Sequence, residues 1–131
     1  MNTNFLFYSS LFAGIYTVLG SLAYYTFSGK NLVRGKDAKN MIKNKKIKHV
    51  VDVRTEPEFI LGHYPGAIHF PVTSMNHKMI SQVMKKNNIK NSDTVLVYCN
   101  TGQRARNAAN KLNDAGIKNV VYIAGSYKSI M

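Results

Sequence analysis

The chain has 131 residues and a formal net charge of +12, and 45% of its residues are hydrophobic. This length suits one folded domain rather than two. A single cysteine, Cys99, excludes an internal disulfide framework and a cysteine-cluster metal site. The basic balance is compatible with nucleic acid, but no nucleic-acid-binding motif accompanies it, so no nucleic-acid partner is expected.

Residues 1–29 carry no charged side chain, and residues 5–27 form an almost continuous apolar segment. As a helix this segment would be about 34 Å long, which is enough to cross the core of a bilayer. A buried core helix is a poor alternative, because so small a chain cannot cover the segment on all sides. We therefore predict a single-pass transmembrane anchor in residues 1–29.

Residues 30–48 hold eight basic residues and one acidic residue, directly after the apolar segment. Basic residues beside a membrane span stay on the cytoplasmic side, so we expect a membrane protein whose folded domain is cytoplasmic. The alternative is a signal peptide cleaved near "SLA" (residues 21–23), with a periplasmic or secreted product. Signal peptides place positive charge before the apolar run, and residues 1–4 carry no charged side chain.

The first predicted elements lie in residues 30–46, a basic linker that contains a short extended piece, "NLVR", and a helix over "KDAKNMIKNK". Residues 47–53 are rich in β-branched side chains and predict a buried strand. Glycines and prolines then mark turns around a short helical piece at residues 57–61. The segment "AIHFP" predicts a short strand that ends at Pro71.

The second half of the chain alternates between helical and strand patterns. Ser74 is a candidate N-cap for a helix with an apolar face from Met75 to Met84, interpreted as core packing. The run "DTVLVYC" predicts a strand, "RARNAANKLNDAG" predicts a helix that closes at Gly116, and "NVVYI" predicts a last strand.

This order predicts an α/β fold in three layers, with a central parallel sheet and helices on both faces. In such folds the functional site lies beyond the carboxyl ends of the strands. Two polar segments follow predicted strands in this way, residues 52–54 and residues 99–104.

The stretch "VYCNTGQRAR" has the properties of a cradle for a thiolate, a bound anion or an additional negative sulfur atom. The thiolate form of cysteine is the nucleophile, and backbone N–H groups of residues 100–104, at a strand-to-helix turn, are able to surround it. Gly102 permits the tight turn, and Arg104 and Arg106 add positive charge. The start of the following helix directs its positive dipole end at the same point.

Two alternatives apply to Cys99. A cysteine that ends a strand is often a small buried hydrophobic residue, but the glycine, the arginine and the helix that follow it favour a reactive site. Protein phosphatases use a Cys-x5-Arg cradle, whereas Arg104 gives a Cys-x4-Arg spacing and Ala105 stands where a phosphatase needs arginine. The shorter loop favours a single sulfur atom over a phosphate group.

Three ordered motifs resemble the rhodanese family of single-domain sulfurtransferases. They are "VVDVRTEPEFILGHYPGAIHFP", "VYCNTGQRA" and "AGSYKSI", where Ala124 replaces the first of two usual glycines. The likeness defines a rhodanese domain over residues 31–131. An apolar segment, a basic linker and one such domain together resemble membrane-anchored rhodaneses.

The resemblance implies that Cys99 takes sulfane sulfur from thiosulfate or a persulfide and passes it, as a Cys99 persulfide, to a thiophilic acceptor. It implies no metal and no cofactor. The expected partners are a small anionic sulfur donor, a thiol acceptor, the membrane through residues 5–27, and a membrane protein. A membrane-tethered persulfide carrier or protein-binding module with little turnover is the alternative. The implied substrate-binding residues are Asn100, Thr101, Gly102, Gln103 and Arg104.

The resemblance also gives Asp52 and Arg54 supporting roles at the site, together with Arg106. Simpler interpretations remain open: Asp52 caps a neighbouring turn, Arg54 forms a salt bridge with Glu58, and Arg106 is solvated. The histidines of the first motif, His63 and His69, are interpreted as packing residues.

Overall fold

The computed structural model describes residues 31–131. Its elements are β1 (Leu32–Val33), α1 (Gly35–Lys43), β2 (His49–Asp52), α2 (Glu56–Leu61), β3 (Ile68–His69), a 3-10 helix (Val72–Ser74), α3 (His77–Lys86), β4 (Thr94–Tyr98), α4 (Gln103–Asp114), β5 (Asn119–Ile123) and a second 3-10 helix (Tyr127–Ile130). This order confirms the predicted alternation of strands and helices.

The five strands form one parallel sheet in the order β1-β5-β4-β2-β3. The two strands that precede the polar segments, β2 and β4, are neighbours, and Asp52 is paired in register with Tyr98. Because parallel strands end at the same edge of a sheet, Arg54 and Cys99 leave the sheet side by side. This register brings together two segments that are 46 residues apart in sequence.

Both faces of the sheet are covered, as the continuous apolar pattern of β4 predicts. On one face Val95 and Val97 belong to the same buried cluster as Ala108 of α4. On the other face Leu96 packs in a cluster with Ala38 of α1. Successive strand residues point to opposite faces, so each residue of β4 reaches one of two cores.

The N-terminus of α3 differs from the prediction. Ser74 lies in the first 3-10 helix, and Asn76 is the N-cap, whose side chain accepts a hydrogen bond from the N–H of Met79 at 2.8 Å. The apolar face of α3 is buried at Ile80, whereas Met79 remains partly exposed. The tight 3-10 turn after Pro71 shifts the helix start by two residues relative to the sequence pattern.

No helix within residues 31–131 is long and apolar enough to cross a membrane. The predicted anchor, residues 5–27, lies outside the described residues, and so does the alternative signal cleavage site.

Candidate active site

Cys99 directly follows β4 and is fully buried. Its Sγ accepts hydrogen bonds from the backbone N–H groups of Gly102 at 3.1 Å and Ala105 at 3.4 Å. The first donor lies in the predicted cradle of residues 100–104, whereas Ala105 lies one residue beyond it. Because the first N–H groups of a helix have no partner inside that helix, the first turn of α4 supplies the second donor. The sulfur therefore sits at a helix N-terminus and accepts two backbone hydrogen bonds.

Gly102 is required by the geometry of this turn. Its φ of +101° lies in the left-handed region, which residues with a Cβ rarely adopt. A Cβ at this position would stand 2.8 Å from the Cα of Ala124, which follows β5. The residue that follows β5 thus packs closely against the loop that follows Cys99. Only glycine fits at position 102 of this loop.

The carboxylate of Glu58, on α2, is held by three residues around the loop. Arg104 donates from Nη1 to Oε1 at 2.7 Å and from Nη2 to Oε2 at 3.0 Å. Asn100 donates from Nδ2 to Oε2 at 2.7 Å, and the N–H and hydroxyl of Thr55 donate to Oε1. The hydrogen bonds from Arg104 hold the pKa of Glu58 well below its usual range, so the carboxylate is ionised.

The alternative interpretation of Arg54, a salt bridge with Glu58, is wrong, because Glu58 pairs with Arg104. Arg54 donates from Nε and Nη2 to the buried carboxylate of Asp52, with the shortest distance 2.7 Å, and from Nη2 to the carbonyl of Gly62 at 2.6 Å. Arg54 pairs with Asp52 because the two residues belong to the same turn. The Asp52 carboxylate also accepts a hydrogen bond from the backbone N–H of Arg54. The expectation that Asp52 caps a neighbouring turn is met by that bond.

Burial alone would raise the pKa of Asp52, but the hydrogen bonds from Arg54 and Tyr98 outweigh it and hold this pKa below its ordinary value. The hydroxyl of Tyr98 donates to Asp52 Oδ2 at 2.6 Å and accepts from the N–H of Tyr64 at 3.0 Å. Burial and the bond to Asp52 raise the pKa of Tyr98 well above its ordinary range. The Arg54 guanidinium also lies over the rings of Tyr98 and Tyr127, at 5.6 and 5.4 Å.

The sequence patterns do not predict Glu58 or Tyr98 as site residues. A signal for Glu58 was present, since Thr55-x-x-Glu58 has the spacing of a capping box at the start of α2. The pattern places the carboxylate at the helix start but does not reveal its contact with a loop that follows another strand. Tyr98 has no such signal, because in sequence it is one more apolar strand residue.

The remaining predicted residues surround this centre or lie outside it. Thr101 and Gln103 are exposed, and Arg106 is half-buried. Gln103, Arg104 and Arg106 line an open cleft of about 340 Å³ on the outer side of α4.

The two histidines pack around Phe59, as expected. The ring of His63 stacks on that of Phe59 at 3.7 Å, and the ring of His69 stacks on it at 4.4 Å. Nε2 of His69 lies 2.9 Å from the carbonyl oxygen of Arg54, which fixes the turn after β2. Both rings therefore support the segment that carries Arg54 and Glu58.

The chain combines a parallel α/β fold with a cysteine that accepts backbone hydrogen bonds after a central strand. Comparison with known protein families identifies the class of proteins that has this combination. The sequence matches the rhodanese-like domain over residues 35–131, so the chain belongs to the rhodanese-like family. The resemblance seen in the three sequence motifs is confirmed.

Several relatives show the extent of the match. The chain is 34% identical over 82 residues to thiosulfate sulfurtransferase PspE of Escherichia coli (63% of this chain, 73% of that protein). It is 35% identical over 86 residues to the chloroplastic thiosulfate sulfurtransferase 16 of Arabidopsis thaliana (60% and 70%). A 34% match to tRNA uridine(34) hydroxylase of Buchnera aphidicola spans 69% of this chain but 28% of that protein.

A solved structure shares the fold. The human single-domain sulfurtransferase TSTD1 superposes with a TM-score of 0.63 over 77% of this chain and 95% of that chain, at 20% identity. At this identity the likeness concerns the fold alone.

Proposed function

We propose that this protein is a sulfurtransferase that moves sulfane sulfur from thiosulfate or a persulfide to a thiophilic acceptor. The observation that carries the proposal is the position of Cys99 Sγ, which accepts N–H bonds from Gly102 and Ala105 at the start of α4. Backbone donors and a helix N-terminus stabilise a thiolate, and they do the same for the added sulfur of a persulfide. The relatives named thiosulfate sulfurtransferase support the same reaction class.

The reaction has two displacement steps. The Cys99 thiolate attacks the outer sulfur of thiosulfate, an S–S bond forms to Cys99, and the S–S bond of the donor breaks as sulfite leaves with the electron pair. A thiolate or cyanide then attacks the outer sulfur of the Cys99 persulfide, and the Cys99 thiolate leaves in turn. No net oxidation occurs, so the cycle needs neither a metal nor an organic cofactor.

Residues Asn100 to Arg104 form the substrate-binding loop in this proposal, and Asp52 and Arg54 brace it from β2. Arg54 donates a long hydrogen bond of 3.5 Å from Nη1 to Oδ1 of Asn100. Cys99 is fully buried, so a donor reaches its sulfur only after a local movement of the residues that surround it. Arg106, on the cleft side of α4, adds positive charge for anionic donors.

A direct test uses the full-length chain, purified in detergent and incubated with thiosulfate. Because Cys99 is the only cysteine, intact mass reports sulfur at one position. We expect the mass of one added sulfur atom, its loss with cyanide, and thiocyanate as product. The Cys99→Ser variant should take up no sulfur. If the wild-type chain never gains sulfur from thiosulfate or from a persulfide, the proposal fails.

A persulfide carrier is the second candidate, since a relative of Bacillus subtilis is named a putative sulfur carrier protein (25% identical over 75 residues). The full burial of Cys99 favours it, because a shielded persulfide is held rather than released. A carrier should take up one sulfur atom per chain and release no more than one equivalent of thiocyanate per chain. An enzyme should release many equivalents of thiocyanate per chain. A protein-binding module without sulfur chemistry would show neither.

We also propose that residues 5–27 anchor the protein to a membrane with the rhodanese domain in the cytoplasm. The uncharged segment and the basic residues after it support this orientation. An alkaline phosphatase reporter fused after Met131 should stay inactive, since that enzyme folds only outside the cytoplasm. An active fusion would instead indicate export, and shortening of the chain would identify a cleaved signal.

A further inference from the structure

Glu58 occupies the polar groups of the loop that an anionic substrate would use. Its two carboxylate oxygens accept from both terminal nitrogens of Arg104 and from Nδ2 of Asn100, at 2.7 to 3.0 Å. The N–H of Thr55 also donates to Oε1, at 3.2 Å. A bidentate arginine–carboxylate pair of this kind has defined geometry as well as charge complementarity.

This pair changes the charge that a donor meets. The positive charge of Arg104 is balanced by Glu58, and that of Arg54 is balanced by Asp52. The described groups that donate to Cys99 Sγ are the backbone N–H groups of Gly102 and Ala105 at the start of α4. A dianion such as thiosulfate therefore gains less Coulomb attraction from these paired arginines than it would gain from unpaired ones.

We propose that Glu58 is a specificity-determining residue that disfavours multiply charged donors at Cys99 and selects donors with less negative charge, such as persulfides. The part of this inference that concerns sulfur donors rests on the proposed function. The part that concerns how fast charged reagents react with Cys99 is independent of the proposed function. The pair is partly exposed, with side-chain exposures of 36% for Arg104 and 28% for Glu58, so it opens at modest cost. Glu58 acts through Arg104 and Asn100 rather than by touching the sulfur.

The first test needs no sulfurtransferase activity. Iodoacetamide and iodoacetate have the same leaving group and differ by one negative charge, and Cys99 is the only thiol that either reagent can alkylate. In Glu58→Gln the ratio of the iodoacetate rate to the iodoacetamide rate should rise about three- to tenfold, because one charge near the thiolate is removed. Added salt should reduce this rise.

Glu56→Gln is the matched control. Glu56 lies two residues earlier on α2, is exposed and carries the same charge, so the change in net charge is identical. Its rate ratio should stay within about twofold of the wild type, since screening weakens the effect of a more distant charge. An equal effect of both substitutions would show that only overall charge matters and would overturn the proposal.

The second test uses two sulfur donors, thiosulfate as a dianion and methanethiosulfonate as a monoanion. Each gives its outer sulfur to Cys99 and releases sulfite or methanesulfinate. Glu58→Gln should raise kcat/KM for thiosulfate several-fold more than for methanethiosulfonate, mainly through KM. If both rates of alkylation and both donor rates rise equally, Glu58 restricts access only, and the charge-selection proposal is wrong.

The outcomes separate this inference from the proposed function. Sulfur uptake without any dependence on donor charge would leave the sulfurtransferase proposal standing and overturn the role of Glu58. A charge-dependent alkylation ratio in a chain that never takes up sulfur would support the role of Glu58 and overturn the sulfurtransferase proposal.

Discussion

Gly102 and Ala124 are in direct contact, although one belongs to the loop after β4 and the other to the turn after β5. A Cβ on Gly102 would lie 2.8 Å from the Cα of Ala124 and 3.1 Å from its Cβ. Backbone at such a distance cannot give way as a flexible side chain does. The contact therefore fixes the loop that donates the N–H of Gly102 to Cys99.

The substitution Gly102→Ala should be more damaging than a glycine substitution elsewhere. It combines the strain of a φ of +101° with the clash against Ala124, so we expect a loss of about 2–4 kcal/mol in the free energy of unfolding. Denaturant unfolding measures this loss. Gly66→Ala is the control, since Gly66 has a φ of +81° and open space around it. Its loss should be about 1 kcal/mol, and equal losses would contradict the steric explanation.

Substitutions in the buried group of Asp52, Arg54 and Tyr98 should lower the free energy of unfolding by different amounts. Asp52→Asn leaves the Arg54 guanidinium, which is 5% exposed, without its countercharge, and we expect a loss of about 3–5 kcal/mol. Tyr98→Phe removes one hydroxyl bond to Asp52 and one acceptor for the N–H of Tyr64, and should cost about 1–3 kcal/mol. Thermal or denaturant unfolding of both variants gives the comparison. A larger loss for Tyr98→Phe would contradict this ranking.

Stability should depend on pH at the acidic end through Asp52. Its pKa is lowered in the folded state, so its contribution is present above the unfolded pKa of about 4 and is lost as the pH falls below it. Unfolding measured between pH 6 and the acidic limit should show this decline. In Asp52→Asn the decline should be shallower, and an unchanged slope would mean that other carboxylates cause it.

At the alkaline end Tyr98 should act in the opposite direction. Its pKa is raised in the folded state, so its contribution is complete below the unfolded pKa of about 10 and is lost as the pH rises above it. Tyrosinate absorbance followed during alkaline titration should include a late phase from Tyr98 that appears only on unfolding. In Tyr98→Phe the amplitude of this late phase should fall by one tyrosine, and an unchanged amplitude would contradict the prediction.

The N-terminus of α3 offers a test of a local feature. Asn76→Ala removes the side-chain acceptor for the N–H of Met79 and should lower the free energy of unfolding by about 1 kcal/mol. Ser74→Ala, in the preceding 3-10 helix, should change it by less than about 0.5 kcal/mol. A larger loss of stability for Ser74→Ala than for Asn76→Ala would indicate that Ser74 is the N-cap of α3.

Much of the fold follows from local pattern. The continuous apolar run of β4 predicts a strand buried on both faces, and the alanine spacing of α4 predicts the helix that covers one of them. Gly116 ends α4 as expected, with a φ of +111°. The cap of α3 was misplaced because Ser74 and Asn76 are both good N-caps, and only the 3-10 turn after Pro71 decides between them.

The sequence by itself determined the α/β class, the element order and the position of Cys99 between the end of a strand and the start of a helix. These depend on periodicity and on the spacing of neighbours along the chain. Only the tertiary structure decided the charge partners, because β2 and β4 become adjacent through their register. That register brings Glu58 to Arg104 and the Tyr98 hydroxyl to Asp52, across 46 residues in each case, and leaves Arg54 with Asp52. Ion pairs between distant segments depend on sheet order, which no local pattern encodes.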